Sequence, residues 1–208
     1  MNSYEWMMAT KQAAQKMPQY MQELCQLDTE IGDGDHGVTI SRGYQSIRDN
    51  VELNADTVIE HFCIQFGTVI SANMGGAIGP VYGVFWKAFA KALAGKKEIE
   101  ASEIADAFLA ATHKIAIVCK VSQGDKTMFD ALVPTAQEFE KQREASLKEA
   151  MAAAVVAAEA GCESTRNMLA KKGRARFLVE KTLGHVDAGA FSFVRWMQEW
   201  NKAICERI

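Results

Sequence analysis

Helical periodicity runs through almost the whole chain, and it limits the possible folds more than any other feature. Ile104, Phe108, Ala111, Ile115 and Val118 recur at alternating steps of four and three residues, which places them on one face of an α-helix. Phe193, Met197, Trp200 and Ile204 repeat the pattern near the C-terminus. The stretch 145–160 is dense in Ala, Glu and Lys, all strong helix formers. Alternating apolar and polar residues bounded by turn dipeptides, the mark of hairpins, do not occur. The spacing predicts an all-α fold with eight helices, over 3–25, 37–49, 55–72, 80–94, 101–119, 126–141, 146–169 and 188–206. Short connections favour antiparallel neighbours, hence an up-and-down bundle.

Local signals refine the boundaries. Asp56 and Ser102 stand where N-caps belong, and Glu5 follows a candidate cap at Ser3. Pro80 suits a first helical position, where its missing N–H costs nothing. Pro18 and Pro134 fall inside predicted helices and must kink them or move their ends. No Pro/Ser-rich linker or composition shift divides the chain, so residues 1–208 read as one domain. At 208 residues with 49% hydrophobic residues, it has enough apolar surface to fold without disulfides or a structural metal.

Charge and cysteine usage exclude several classes. The chain has 23 Lys plus Arg against 26 Asp plus Glu, a net charge of −3, with no basic stripe of the kind nucleic acid requires. No apolar run approaches the roughly 20 residues of a membrane span, and the N-terminus lacks a signal-peptide pattern. The five cysteines, Cys25, Cys63, Cys119, Cys162 and Cys205, form no C-x-x-C pair. They read as small buried hydrophobes of a reducing, cytoplasmic protein.

Four polar, glycine-bearing connections interrupt the helices, at 28–37, 71–79, 122–127 and 173–189. The first reads Asp28-Thr29-Glu30-Ile31-Gly32-Asp33-Gly34-Asp35-His36-Gly37. Three aspartates this close repel, and a hard divalent cation relieves the repulsion while glycines let the carboxylates converge. An Asp/Gly-rich turn with no cation has the same composition. A calcium EF-hand does not fit, because Thr39 or Tyr44 stands where that loop needs its bidentate glutamate. A small ligand set with room to spare suits magnesium.

The second connection, Ser71–Pro80, places Gly75, Gly76 and Gly79 ahead of a helix, where backbone N–H groups and the helix dipole form a phosphate cradle. Close packing of helices through small residues is the other reading. No strand precedes the glycines, so this is not a dinucleotide-binding fingerprint. Val38 stands where a Walker loop needs lysine. The third connection, Ser122–Met128, also reads as a plain helix start. In the fourth, Lys171-Lys172-Gly173-Arg174-Ala175-Arg176 reads as a solvated loop or surface ion pairs, although a guanidinium also suits a phosphate. His61 and His113 read as ordinary core or surface residues.

Taken together, Leu27–Gly37, Met74–Pro80, Gly124–Asp130 and Gly173–Gly189 resemble the nucleotide-binding L subunit of dihydroxyacetone kinase, the DhaL type. The resemblance extends over essentially the whole chain and implies an eight-helix antiparallel barrel with ADP or ATP at one end. It implies that Asp28, Asp33 and Asp35 hold two Mg2+ ions bridging the nucleotide phosphates. It places His36, Gly37, Val38 and Thr39 beside the nucleotide, with Ala72 and Asn73 entering from the second connection. Gly75 and Gly76 would approach the phosphates, and Cys119, Met128, Arg174 and the Asp187-Ala188-Gly189 turn would complete the pocket. No covalent catalyst is implied.

The same resemblance implies phosphoryl transfer to a short ketose held by a separate K subunit. The nucleotide is recharged by a phosphocarrier M subunit of the phosphotransferase system, or replaced by exchangeable ATP serving another ketose or triose. A regulatory role, docking on a transcription activator, is a third possibility within the family. The oligomeric state stays open, a homodimer included. The chain departs from the family at Ala188, where many relatives carry proline, at Ile78, in place of a small polar residue, and at Cys119, glycine in some relatives.

Overall fold

The structure is a computed structural model that describes all residues from Met1 to Ile208. It contains nine α-helices: α1 Ser3–Lys16, α2 Met21–Thr29, α3 His36–Asn50, α4 Ile59–Asn73, α5 Ile78–Ala92, α6 Ala101–Cys119, α7 Met128–Lys141, α8 Leu147–Ser164 and α9 Ala188–Cys205. Three 3-10 segments, Met17–Tyr20, Thr165–Asn167 and Ala175–Thr182, lie between them. The only β pairing is an isolated bridge between Asn2 and Glu98. No helix is long and apolar enough to cross a membrane.

The eight expected helices become nine because Pro18 breaks the first. It lies in the 3-10 segment between α1 and α2 and cannot donate an α-helical hydrogen bond. Pro134, by contrast, is accommodated inside α7. Helix α8 stops at Ser164, short of the expected 169, where the chain tightens into a 3-10 turn. Several caps also move. Asn2, not Ser3, caps α1 in a reciprocal capping box with Glu5, and Glu100, not Ser102, does so for α6 with Glu103. Asp56 lies before α4 in a turn organised by Asn54, whose side chain accepts from the Asp56 amide at 3.0 Å. Pro80 is the third residue of α5, still among the four amides that a helix leaves unpaired.

The helices form a closed ring in which each packs on its sequence neighbours and α9 returns to α1. With α1 and α2 counted as one broken helix, this is an eight-membered antiparallel barrel. Its axis is filled, not hollow: Trp6, Trp86, Trp196, Trp200, Tyr44 and Tyr82 are all fully buried. Trp196 stacks on Tyr44 with centroids 5.2 Å apart, and Trp6 meets Trp200 edge-on at 5.5 Å. Such pairs add about 0.5–1.5 kcal/mol each beyond the area they bury. The Trp200 indole N–H donates to Thr10 Oγ1 at 2.9 Å, satisfying its polar atom at the centre. Of the cysteines, only Cys63 and Cys162 are buried; Cys25, Cys119 and Cys205 are half-buried.

Up-and-down connectivity decides where function can sit. Alternate connections emerge at the same end, so α2–α3, α4–α5, α6–α7 and α8–α9 share one rim. These are the four glycine-bearing connections singled out in the sequence. The chain termini and the α5–α6 and α7–α8 connections meet around a separate hollow at the opposite end.

Candidate nucleotide and cation site

The four connections enclose a cavity of about 550 Å³, within the range of small-molecule sites. Its lining divides by chemistry. An apolar set, Ile78, Val81, Ile115, Cys119, Val121 and Met128, lines it together with a polar one, the aspartates, Gly75, Gly76, Arg42, Lys126 and Arg174.

The acidic side is built by the turn after α2. Ile31 and Gly32 amides donate back to the Asp28 carbonyl at 3.3 and 2.6 Å, curling the chain under the Asp28 side chain. A Cβ at position 32 would stand 2.2 Å from Asp28 Oδ1, so only glycine lets that carboxylate lie there. Asp28 Oδ2 accepts from the His36 amide at 3.3 Å, which ties it to the first residue of α3. Carboxylate oxygens of Asp28, Asp33 and Asp35 lie within 4.8 Å of one another. The Arg174 guanidinium reaches across from the fourth connection, contacting Asp33 and lying 3.8 Å from Asp35. Three converging hard oxygen donors on a partly exposed turn fit a small divalent cation that keeps some of its water.

The start of α5 lines the same cavity. Helices α1, α6, α7 and α8 begin with capping boxes, and Asp187 caps α9. Helix α5, like α2, α3 and α4, has no side-chain cap; what sets it apart is that Gly75, Gly76 and Ala77 ahead of it line the cavity. Its first amides and its dipole therefore add positive potential at the cavity. Arg42 braces the loop, donating through Nε to the Asn73 carbonyl at 2.7 Å.

His36 Nε2 lies 3.0 Å from Ser192 Oγ, which itself donates to the Gly189 carbonyl at 3.0 Å, linking α3 to the start of α9. Burial pulls the His36 ring below its ordinary pKa, against the opposing charge of Asp28 and a backbone bond at Ala188. Asp187 accepts from the Ala190 amide at 2.8 Å as the cap of α9. Burial pushes its carboxyl up to about 7; the Ala190 bond and Lys126 oppose that shift, while Asp130 and Asp28 add to it. Ala188 occupies the first helical position of α9, where proline is tolerated, so the alanine there costs no helix geometry.

Of the residues the resemblance singles out, His36, Val38, Thr39, Gly75, Gly76, Cys119, Met128, Arg174, Asp187, Ala188 and Gly189 line this cavity with the three aspartates. Gly37, Ala72 and Asn73 do not. Gly37 faces α2, where a Cβ would stand 1.9 Å from the Met21 carbonyl. Ala72 is exposed on the last turn of α4, and Asn73 turns its amide back to the Val69 carbonyl at 2.8 Å. Arg174, which the resemblance brings to the pocket and whose local stretch reads as a solvated loop or surface pair, forms an exposed ion pair with Asp33 at the cavity. Arg42 and Lys126 were not anticipated. The left-handed backbone of Lys126, with φ 59°, is what keeps it out of the helix predicted from 126.

A family model described as the DAK2 domain matches residues 30–202. The chain is 34% identical over 174 residues to the Escherichia coli K12 PEP-dependent dihydroxyacetone kinase, ADP-binding subunit DhaL, covering 83% of each. It is also 34% identical over 174 residues to a Listeria innocua ADP-binding DhaL subunit, covering 82% of this chain and 80% of that one. The crystal structure of the dihydroxyacetone kinase from C. freundii in complex with AMP-PNP and Mg2+ superposes with a TM-score of 0.70 at 21% identity. That match covers 94% of this chain and 33% of the longer C. freundii chain, and supports the fold.

Proposed function

The chain belongs to the DAK2-domain family, among DhaL-type kinase subunits, and from that premise we propose that it is the ADP-binding phosphotransfer subunit of a dihydroxyacetone-type kinase in the cytoplasm. It acts as a single nucleotide-binding domain on a short ketose held by a separate K subunit, with its nucleotide recharged by a phosphocarrier M subunit. The observation that supports this most is the gathering in one cavity of three converging carboxylates, a glycine-led helix start and a set of apolar side chains.

The division of labour follows from the lining. The apolar wall of Ile78, Val81, Cys119 and Met128 takes the flat base. The amides of Gly75 and Gly76 and the dipole of α5 take the phosphates. Asp28, Asp33 and Asp35 hold two magnesium ions. When bound, those ions neutralise phosphate charge, the main demand of phosphoryl transfer. Arg174 spreads charge over the same oxygens with planar donors. Asp28 is oriented by the His36 amide, and His36 and Asp187 fix the start of α9 against the cluster. The reading assigns no side chain to a covalent intermediate.

Reconstitution tests the reading. The chain is mixed with a ketose-binding kinase subunit and dihydroxyacetone, and product is followed with phosphocarrier components or ATP as donor. The expected result is phosphorylation that depends on both subunits and on the phosphocarrier. Turnover with ATP alone would move the donor to exchangeable ATP, and no turnover with either donor would refute the kinase reading.

A further inference from the structure

The connection between α6 and α7 holds a lysine that neither the acidic cluster nor the apolar wall explains. Lys126 is 1% exposed, among the largest fully buried side chains of the chain, and sits at φ 59°. A left-handed non-glycine residue and a buried ammonium are each unfavourable and persist only where the surroundings fix them.

The surroundings do fix it. Its Nζ donates to the carbonyl of Thr165 at 2.6 Å and to that of His185 at 2.5 Å. The adjoining backbone is tied down as well. The Asp130 carboxylate accepts from the Gly124 and Thr127 amides at 2.5 and 2.8 Å, and the Asp125 carbonyl accepts from the Lys171 amide at 3.0 Å.

Both carbonyls stand at the feet of one excursion, from the end of α8 to the start of α9. That excursion brings Arg174 to the aspartates and Asp187 to the cavity wall. Thr165 also accepts the Asp187 amide on its hydroxyl at 2.9 Å. The feet are joined to each other by Gly184, whose amide donates to the Arg166 carbonyl at 2.8 Å. The far part of the excursion is open to solvent, with Phe177 72% exposed. Its base is therefore a main hold on its placement: the Lys126 ammonium donates to a carbonyl of each foot, the Arg166 guanidinium donates to the Gly184 carbonyl at 2.6 Å, and Lys172 Nζ adds a tether to the Lys120 carbonyl at 2.8 Å.

We propose that Lys126 is a positioning residue: by pinning the Thr165 and His185 carbonyls, it holds the Asp187 turn and the Arg174 segment against the nucleotide cavity. It acts through those carbonyls and does not touch the reacting atoms. The consequence for nucleotide rests on the reading given above; the consequence for the excursion does not. Burial pulls the ammonium below its ordinary lysine pKa, the Asp187 and Asp130 carboxylates oppose that pull and Arg166 adds to it, consistent with a cation held for its hydrogen bonds.

The test uses Lys126→Met, which keeps the apolar stem and removes the ammonium, and Lys126→Ala, which removes both. In the nucleotide-free chain, K126M should speed hydrogen exchange roughly tenfold at the Gly184, Asp187 and Ala190 amides while α4 and α5 stay unchanged. Its dissociation constant for Mg-ADP should rise roughly tenfold. Propylammonium, the piece missing from K126A, should restore exchange protection and affinity, whereas propanol should not. Should K126M not fold, the same selective rescue of K126A decides the matter through recovery of the folded state. Wild-type exchange at those three amides in K126M, or equal rescue by propanol, would overturn the proposal. A wild-type chain that does not bind Mg-ADP would remove the nucleotide reading, and the exchange result would still decide what Lys126 holds.

Discussion

Neutralising Asp35 separates the cost of the acidic cluster from its use. At the 4.8 Å that bounds the separations of the three carboxylates, each pair repels by about 1 kcal/mol under full water screening and about 3 kcal/mol at an effective dielectric of 20. The Asp33 and Asp35 side chains are 44% and 61% exposed, so the lower figure applies. Asp35→Asn removes two repulsive pairs and weakens one attraction, that of Arg174 at 3.8 Å, which offsets about 1 kcal/mol of the gain. The net effect is a ligand-free stabilisation of about 1 kcal/mol at low salt, or about 2 °C in a chain this long. With Mg-ADP at 100 times its dissociation constant, the wild type gains about 2.7 kcal/mol, or about 6 °C. The variant loses most of that gain. The melting order should therefore reverse: the variant above the wild type in low-salt EDTA buffer, and several degrees below it with Mg-ADP. Salt should close the ligand-free gap by screening. Differential scanning calorimetry reads both arms. A variant that melts lower without ligand would show the carboxylate to be a structural hydrogen-bond partner, and a full Mg-ADP shift would remove Asp35 from the cation set.

Two further outcomes follow from single residues. Gly37→Ala forces a Cβ to 1.9 Å from the Met21 carbonyl, so it should destabilise the chain by about 2–4 kcal/mol through separation of α2 from α3; a urea melt with an unchanged midpoint would contradict this packing role. Asp187, raised to about 7 from an unfolded value near 3.8, binds its proton more tightly in the folded state. Stability of the metal-free chain should accordingly fall as pH rises from about 4 to 7, by at most about 1.4 kcal/mol per unit from this group. Asp187→Asn should flatten that component in pH-dependent denaturation, and an unaltered slope would rule it out.

The fold was legible because its main signal, apolar residues at helical spacing, is local and needs no partner to be read. The gathering of four connections at one rim also follows from that pattern, since alternate turns of an up-and-down chain share an end; closure into a barrel was legible only through the resemblance. The aspartates were legible for a similar reason: mutual repulsion within eight residues is visible in one dimension. What escaped was long-range. Only the resemblance brings Arg174 to the pocket; its local stretch alone reads as a solvated basic loop, because its partners Asp33 and Asp35 lie far away in sequence. Lys126 reads as a helix residue until its bonds to Thr165 and His185 are known. Asn73 and Gly37 enter as site residues through the resemblance; in the ligand-free fold the Asn73 amide bonds back on α4 and Gly37 packs closely on α2.

Calorimetric titration of ADP into the chain, with saturating Mg2+ and again in EDTA, measures most directly whether the aspartates act by gripping cations that grip the diphosphate. The account predicts roughly 100-fold tighter binding with the metal, about 2.7 kcal/mol, and a gap that collapses in Asp33→Asn. Equal affinity in both buffers would contradict it.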